Sequence, residues 1–239
     1  MSQIILYDLP SKGHCACWSL NPWKTRMVLN YKKLDYKTEW LEYPDVAPTL
    51  KSLGVPPNDP GSKFAYSIPV IRLDEKTFIM DSRQIADALE KHHPSPSLRL
   101  DSPILPKVEA IIGRAMMPLA GVVMPRIPKQ LLSEPSEEYF ERTRAARFGM
   151  SLAQFEKEKG GDGAWEAAKP AIEEMAELLK KEGGPYFMGK TVSYADFVVV
   201  SLLQFLKRTG DDLYERMVAY DPAYSKLYEA CAEWLARAD

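Results

Sequence analysis

Cysteine, histidine and net charge are all scarce in this sequence. Three cysteines in 239 residues, two of them crowded as Cys15-Ala16-Cys17, cannot make a disulfide framework for a chain of this length. Only three histidines are present, and Cys15 and Cys17 lack a second Cys/His pair at zinc spacing, so no metal site is expected. Lys and Arg number 31 against 33 Asp and Glu, a net charge of −2. That balance lacks the basic excess that binding to a phosphate backbone demands, and nucleic acid is not an expected partner. No run of about 18 apolar residues occurs, so no membrane partner is expected. The first ten residues, MSQIILYDLP, lack a basic segment followed by an apolar one. These absences together point to a reducing, cytoplasmic setting. No period of about 20–50 residues recurs, which argues against a repeat solenoid.

What the chain does have is a near-average globular mixture, 46% apolar and 27% charged, at a length suited to one large domain or two small ones. Its two parts follow different patterns. Up to about residue 94, short apolar runs alternate with helical periodicity. Ile4–Tyr7 reads as a buried strand, Pro22–Lys33 as a helix, Tyr36–Leu41 as a strand, and Val46–Leu53 as a short helix closed by Gly54. Residues 56–61, Pro-Pro-Asn-Asp-Pro-Gly, form a loop by composition. Val70–Leu73 and Thr77–Met80 read as a hairpin turning at Asp74-Glu75-Lys76, and Ser82–His92 as a helix. The order β-α-β-α-β-β-α describes a small α/β domain over residues 1–94.

The segment His92-His93-Pro94-Ser95-Pro96-Ser97 breaks helix and strand alike. Beyond it an all-helical domain is expected over 102–239, with helical patterns at about 103–126, 136–157, 164–182, 194–208 and 222–236 bounded by Pro and Gly. The first of these carries an apolar, Met-rich stripe that includes Met116 and Met117. Ser193-Tyr-Ala-Asp196 has the spacing at which two side chains cap a helix start, a structural assignment.

Three places can hold a ligand. Asn21, just before Pro22 at the first helical position, reads as an N-cap, and Ser19 lies two residues ahead of it. The free N–H groups and positive dipole end of a helix start suit an anion, a thiolate included. Ile68-Pro69 stands immediately before a strand, and Asp81-Ser82 opens a helix as an N-cap pair.

Taken with the all-helical second half, these elements resemble the glutathione transferase superfamily over nearly the whole chain. Residues 19–29, Ser-Leu-Asn-Pro-Trp-Lys-Thr-Arg-Met-Val-Leu, are most similar to the fungal FuA class, itself related to bacterial β-etherases. The resemblance implies a thioredoxin-like first domain and a helical second domain that walls a hydrophobic pocket. It implies that glutathione is the cosubstrate and that no metal is required. Pro69 would be a cis-proline, Ile68 would meet the cysteinyl part of glutathione through its backbone, and Asp81 with Ser82 would hold the γ-glutamyl end. Met116, Met117 and Phe205 would line the pocket for a hydrophobic, aromatic electrophile, and Arg114 is a candidate for that pocket or for an ion pair at a dimer interface. Alignment on Trp23 makes Ser19 the thiol-activating residue, whereas alignment on Pro22 gives that place to Asn21, and both stay open. Homodimers are usual in the superfamily. Two rival functions are a carrier of phenolic or terpenoid ligands and a reductase or etherase that uses Cys15 or Cys17.

Overall fold

The computed structural model describes residues 3–62 and 64–239; Met1, Ser2 and Lys63, the last within the 54–66 loop, lie outside the described residues. The α/β part runs β1 (Ile4–Asp8), α1 (Leu20–Tyr31), β2 (Tyr36–Trp40), α2 (Tyr43–Ser52), β3 (Val70–Arg72), β4 (Phe78–Met80) and α3 (Ser82–His92). The strands form one sheet in the order β2-β1-β3-β4. β1 and β2 are parallel, with Ile4 opposite Tyr36, and the two remaining pairings are antiparallel, with Tyr7 opposite Val70 and Val70 opposite Met80. Every residue of β1 is buried: the apolar run Ile4–Tyr7 anticipates this for its own four residues, and Asp8 at the end is buried as well. The hairpin turn is held by the Asp74 carboxylate, which accepts from the N–H groups of Lys76 and Thr77 at 2.9 Å each.

Helices alone follow: α4 (Ile104–Val123), α5 (Arg126–Leu131), α6 (Glu134–Phe148), α7 (Leu152–Lys159), α8 (Gly161–Lys180), α9 (Tyr194–Thr209), α10 (Asp211–Val218), α11 (Pro222–Ala230) and α12 (Ala232–Leu235). No described helix is long and apolar enough to cross a membrane. The expected helix 136–157 is two helices, because Gly149 adopts φ 71° and ends α6, after which the Ser151 hydroxyl caps α7. Helix α10 fills a stretch read as a break after Gly210; there the chain turns and a new amphipathic helix begins at once. Gly121 in α4 permits a close crossing, since a Cβ there would stand 2.3 Å from the Lys159 carbonyl oxygen.

The helix start at Asn21 also needs correction. Helix α1 begins at Leu20 with Ser19 as its N-cap, and the first intrahelical bond runs from Trp23 N–H to the Ser19 carbonyl at 3.2 Å. Pro22 is tolerated two residues deeper than anticipated, at the third helical position, because the first N–H groups of a helix have no intrahelical partner to lose.

Helix α9 is buried almost throughout and packs against α1, α4, α5, α10 and α11. At its start Asp196 accepts from Ser193 N–H at 2.7 Å, the Ser193 hydroxyl at 2.8 Å and Phe187 N–H at 2.8 Å. Burial pushes the Asp196 carboxyl up to about 6 while these donors pull it down. Because that value lies above the unfolded one of about 3.9, the linked stability is complete below about pH 4 and is lost as pH rises through about 6. Asp196→Ala strands two backbone donors and is expected to lower stability at pH 5 by roughly 1–3 kcal/mol, leaving the specific activity of the folded fraction intact. Thermal melts at pH 5 and pH 7.5 check the sign: the gap to wild type should narrow at the higher pH, and a widening gap would show that the donors outweigh burial.

Candidate functional site

Strand register gathers the candidate residues before any side chain is considered. The C-terminal end of β1 leads into the loop ending at Ser19, and Tyr7 of that strand is opposite Val70, just after Ile68-Pro69. Val70 is in turn opposite Met80, just before Asp81-Ser82. All three elements therefore meet at one end of the sheet. The Asp81 N–H donates to the Pro69 carbonyl at 3.2 Å, joining two of them directly, and the Ile68–Pro69 peptide is cis.

Asp81 caps α3 as anticipated: its Oδ1 accepts from Arg83 N–H at 2.8 Å and from Gln84 N–H at 3.4 Å. Its backbone, at φ 82°, lies in a region that non-glycine residues seldom occupy. Nothing in the sequence signalled that conformation, although a short side chain able to bond locally is what such a position tolerates. Ser82 is buried, and its carbonyl accepts from the Tyr194 hydroxyl at 3.2 Å, which ties the start of α3 to the start of α9.

Ser19, Asn21, Ile68, Met116 and Phe205 all line one cleft of about 430 Å³ between the sheet domain and helices α4, α6 and α9. Its remaining wall is largely aromatic, with Trp18, Tyr43, Phe64, Tyr66, Tyr139 and Phe140. Met117 does not belong to it. At 76% exposure it faces outward, because successive residues of a helix point about 100° apart, and only Met116 of the pair turns inward. Arg114 is likewise absent from the wall and pairs with Glu174 of α8 at 2.8 Å on the surface. The residue that sequence reasoning missed is Arg144 of α6, which reaches the cleft although its helix shows no clear apolar stripe.

The two thiol-activating candidates differ in what they already hold. The Ser19 side chain makes no capping hydrogen bond. Asn21 is an exposed residue in the first turn, and its amide oxygen accepts from Lys24 Nζ at 3.0 Å. Of the nearby thiols, Cys17 is buried and Cys15 is exposed at its surface. Burial pushes both thiols up, and the charge of Asp8 adds to the shift. Behind the loop, Asp8 at the end of β1 and Arg26 of α1 form a wholly buried ion pair at 2.9 Å. The Arg26 Nη2 also donates to Thr38 of β2 at 3.0 Å. Among the described residues, no group of three His, Cys, Asp or Glu side chains is placed to hold a metal ion.

Comparison with known proteins agrees with this fold. Residues 18–92 match the glutathione S-transferase N-terminal domain family, and residues 108–234 the glutathione S-transferase C-terminal domain family. The glutathione S-transferase-like protein ustS of Aspergillus flavus is 32% identical over 93% of this chain and 87% of its own. Among solved structures, glutathione transferase GSTFuA3 of Phanerochaete chrysosporium is 30% identical, with a TM-score of 0.87 over 98% of both chains. A glutathione S-transferase of Ceriporiopsis subvermispora, solved in complex with glutathione, is 29% identical with a TM-score of 0.85 over the full length of both. A thioredoxin-like sheet domain that brings the three candidate elements together, followed by a helical domain facing them across an aromatic cleft, matches both halves of the glutathione transferase family, and the chain belongs to that family, with the FuA class among its relatives.

Proposed function

We propose that this glutathione transferase transfers glutathione to hydrophobic, aromatic electrophiles and that Ser19 activates the thiol. The observation that carries the reading is the Ser19 side chain, which stands at the N-cap of α1, lines the cleft and is not used as a cap. A free thiol, with a pKa of about 8.5, is mostly protonated at neutral pH, and only the thiolate is a strong nucleophile. A hydroxyl donating to the sulfur, with the positive end of the α1 dipole behind it, lowers that pKa. Asn21 remains the alternative, its amide oxygen held by Lys24.

In this reading Ile68 offers its backbone to the cysteinyl part of glutathione beside Pro69, and Asp81 with Ser82 receives the γ-glutamyl ammonium and carboxylate. The Asp81 carboxylate can serve both its own helix and a ligand, because its capping bonds use Oδ1 alone. Met116 and Phe205 would contact the electrophile. Glutathione bound in the Ceriporiopsis structure supports the cosubstrate side of the scheme. The aromatic wall also suits a second reading, carriage of phenolic or terpenoid ligands with little turnover. The reductase reading has less support, since Cys15 and Cys17 are held toward the thiol form.

A charge-assisted hydrogen bond contributes roughly 1.5–3 kcal/mol, so Ser19→Ala should raise the pKa of bound glutathione by about one to two units. The rate at neutral pH should fall about ten- to a hundredfold where thiolate supply limits it. Ultraviolet absorbance of the bound thiolate against pH, for wild type, Ser19→Ala and Asn21→Ala, separates the candidates. A shift confined to Asn21→Ala would reassign the role, and no shift in either variant would favour the carrier reading.

The γ-glutamyl assignment has its own test. Asp81→Asn keeps a capping oxygen and tolerates the positive φ, so its melting temperature should stay near wild type while glutathione affinity drops about tenfold or more. Asp81→Ala should lose the cap as well, about 0.5–2 kcal/mol of stability. Calorimetric titration with glutathione and thermal melts read the two effects separately, and unchanged affinity in Asp81→Asn would remove the residue from the binding site.

A further inference from the structure

The cleft contains one feature that glutathione binding and thiol activation leave unused, the guanidinium of Arg144. Its Cζ lies 4.2 Å from the ring centroid of Phe140, 5.4 Å from that of Tyr43 and 5.8 Å from that of Phe64, all residues of the cleft wall. Among the described residues it forms no ion pair, and its only side-chain hydrogen bond is from Nη1 to the Thr143 hydroxyl at 2.9 Å. An acidic group at the same α2–α6 junction, Glu42, accepts from the hydroxyls of Ser133, at 2.6 Å, and Ser136, and forms no ion pair with Arg144. Arg144 thus brings an unpaired positive charge into an otherwise apolar, aromatic wall.

A permanently charged guanidinium over ring faces gains some cation–π attraction, yet most of its five N–H donors remain uncommitted. The planar fork of those donors matches a carboxylate bidentately, and the low dielectric of an aromatic cleft strengthens such a pair relative to water. We propose that Arg144 selects the second ligand of this cleft, and that this ligand is an aromatic acid whose ring stacks among Tyr43, Phe64 and Phe140 and whose carboxylate pairs with the guanidinium. The proposal rests on reading the apolar side of the cleft as the pocket for the second ligand. It assigns that ligand a charge, which hydrophobic packing alone would not.

The test compares trans-cinnamate with its uncharged isostere cinnamamide, followed by quenching of tryptophan fluorescence, since Trp18 lines the cleft. In low salt the wild type should bind the acid about 10- to 100-fold more tightly than the amide. Arg144→Gln should abolish that preference, and Arg144→Lys, which keeps the charge without the fork, should retain part of it. Equal binding of acid and amide by the wild type would overturn the proposal, whether or not the variants fold. So would a preference that survives Arg144→Gln. Calorimetric titration with glutathione is the control: an unchanged affinity in Arg144→Gln is expected, and a loss of glutathione affinity with the acid preference intact would overturn the proposal by giving Arg144 to a glutathione carboxylate. Failure of the Ser19 experiment would leave the acid-to-amide ratio unaffected, so the two readings fail independently.

Discussion

A helix whose first turn is wholly buried has no water to satisfy the N–H groups there, and helix α9 is in that position. The Asp196 carboxylate meets part of that need and also fixes the incoming chain through Phe187 N–H. Two further bonds extend the arrangement. Tyr194 N–H donates to the Leu98 carbonyl at 2.9 Å, and the Tyr194 hydroxyl donates to the Ser82 carbonyl. The start of α9 therefore sets where α3 begins, and with it the Asp81-Ser82 pair. Farther along, α9 packs on α1, whose first turn carries Ser19, and contributes Phe205 to the cleft. A single buried helix is thus the common reference for the Asp81-Ser82 and Ser19 elements and for the apolar side of the cleft.

The sheet domain contributes a second fixed point. Removing both Asp8 and Arg26 from water is unfavourable by itself, and their mutual attraction offsets that only with good geometry and further hydrogen bonds. Both conditions are met, with Leu9 N–H on the other carboxylate oxygen at 2.7 Å and Thr38 on the guanidinium. Burial pushes the Asp8 carboxyl up while Arg26 pulls it down. A buried pair of this kind is weak evidence for stability, but it does orient. It joins the end of β1 to the middle of α1 and to β2, so the loop between β1 and α1 starts from and returns to fixed ends, with Ser19 at its edge.

The cleft between these fixed points has two chemical characters. At the sheet end, backbone groups and short polar side chains converge, suited to a peptide-like ligand with charged ends. Across from them, rings from the α2 and α6 sides close the opening, with Tyr43 and Tyr139 stacked at 6.0 Å and an interplanar angle of 9°. The Tyr43 N–H donates to the Ser136 hydroxyl at 2.9 Å, so the same junction that builds the aromatic wall also holds the two domains together. Arg144 is the exception within that wall, and its charge is what distinguishes this pocket from a merely greasy one.

Local chemistry was enough to read most elements from the sequence. Breakers such as Gly183-Gly184-Pro185, the short apolar runs of the strands and the Ser193/Asp196 spacing act within a few residues, so the β-α-β-α-β-β-α order, the helical second half and the cap of α9 were legible. The division of 136–157 at Gly149 and the start of α1 at Leu20 were not. Each depends on whether a tolerant residue, a glycine inside a helical pattern or a proline in a first turn, ends a helix or merely sits in one, and packing decides that. The direction in which a side chain faces was equally out of reach. Met116 and Met117 are chemically identical neighbours, yet only the rotation of α4 against the sheet domain turns one into the cleft and the other to solvent. Arg144 sits in a helix with little apolar patterning, and its role as the cleft's charge arises from α6 lying against α2, a contact between residues about a hundred positions apart. Elements came from local propensity, whereas the site came from register and helix phase, which exist only once the two domains have packed.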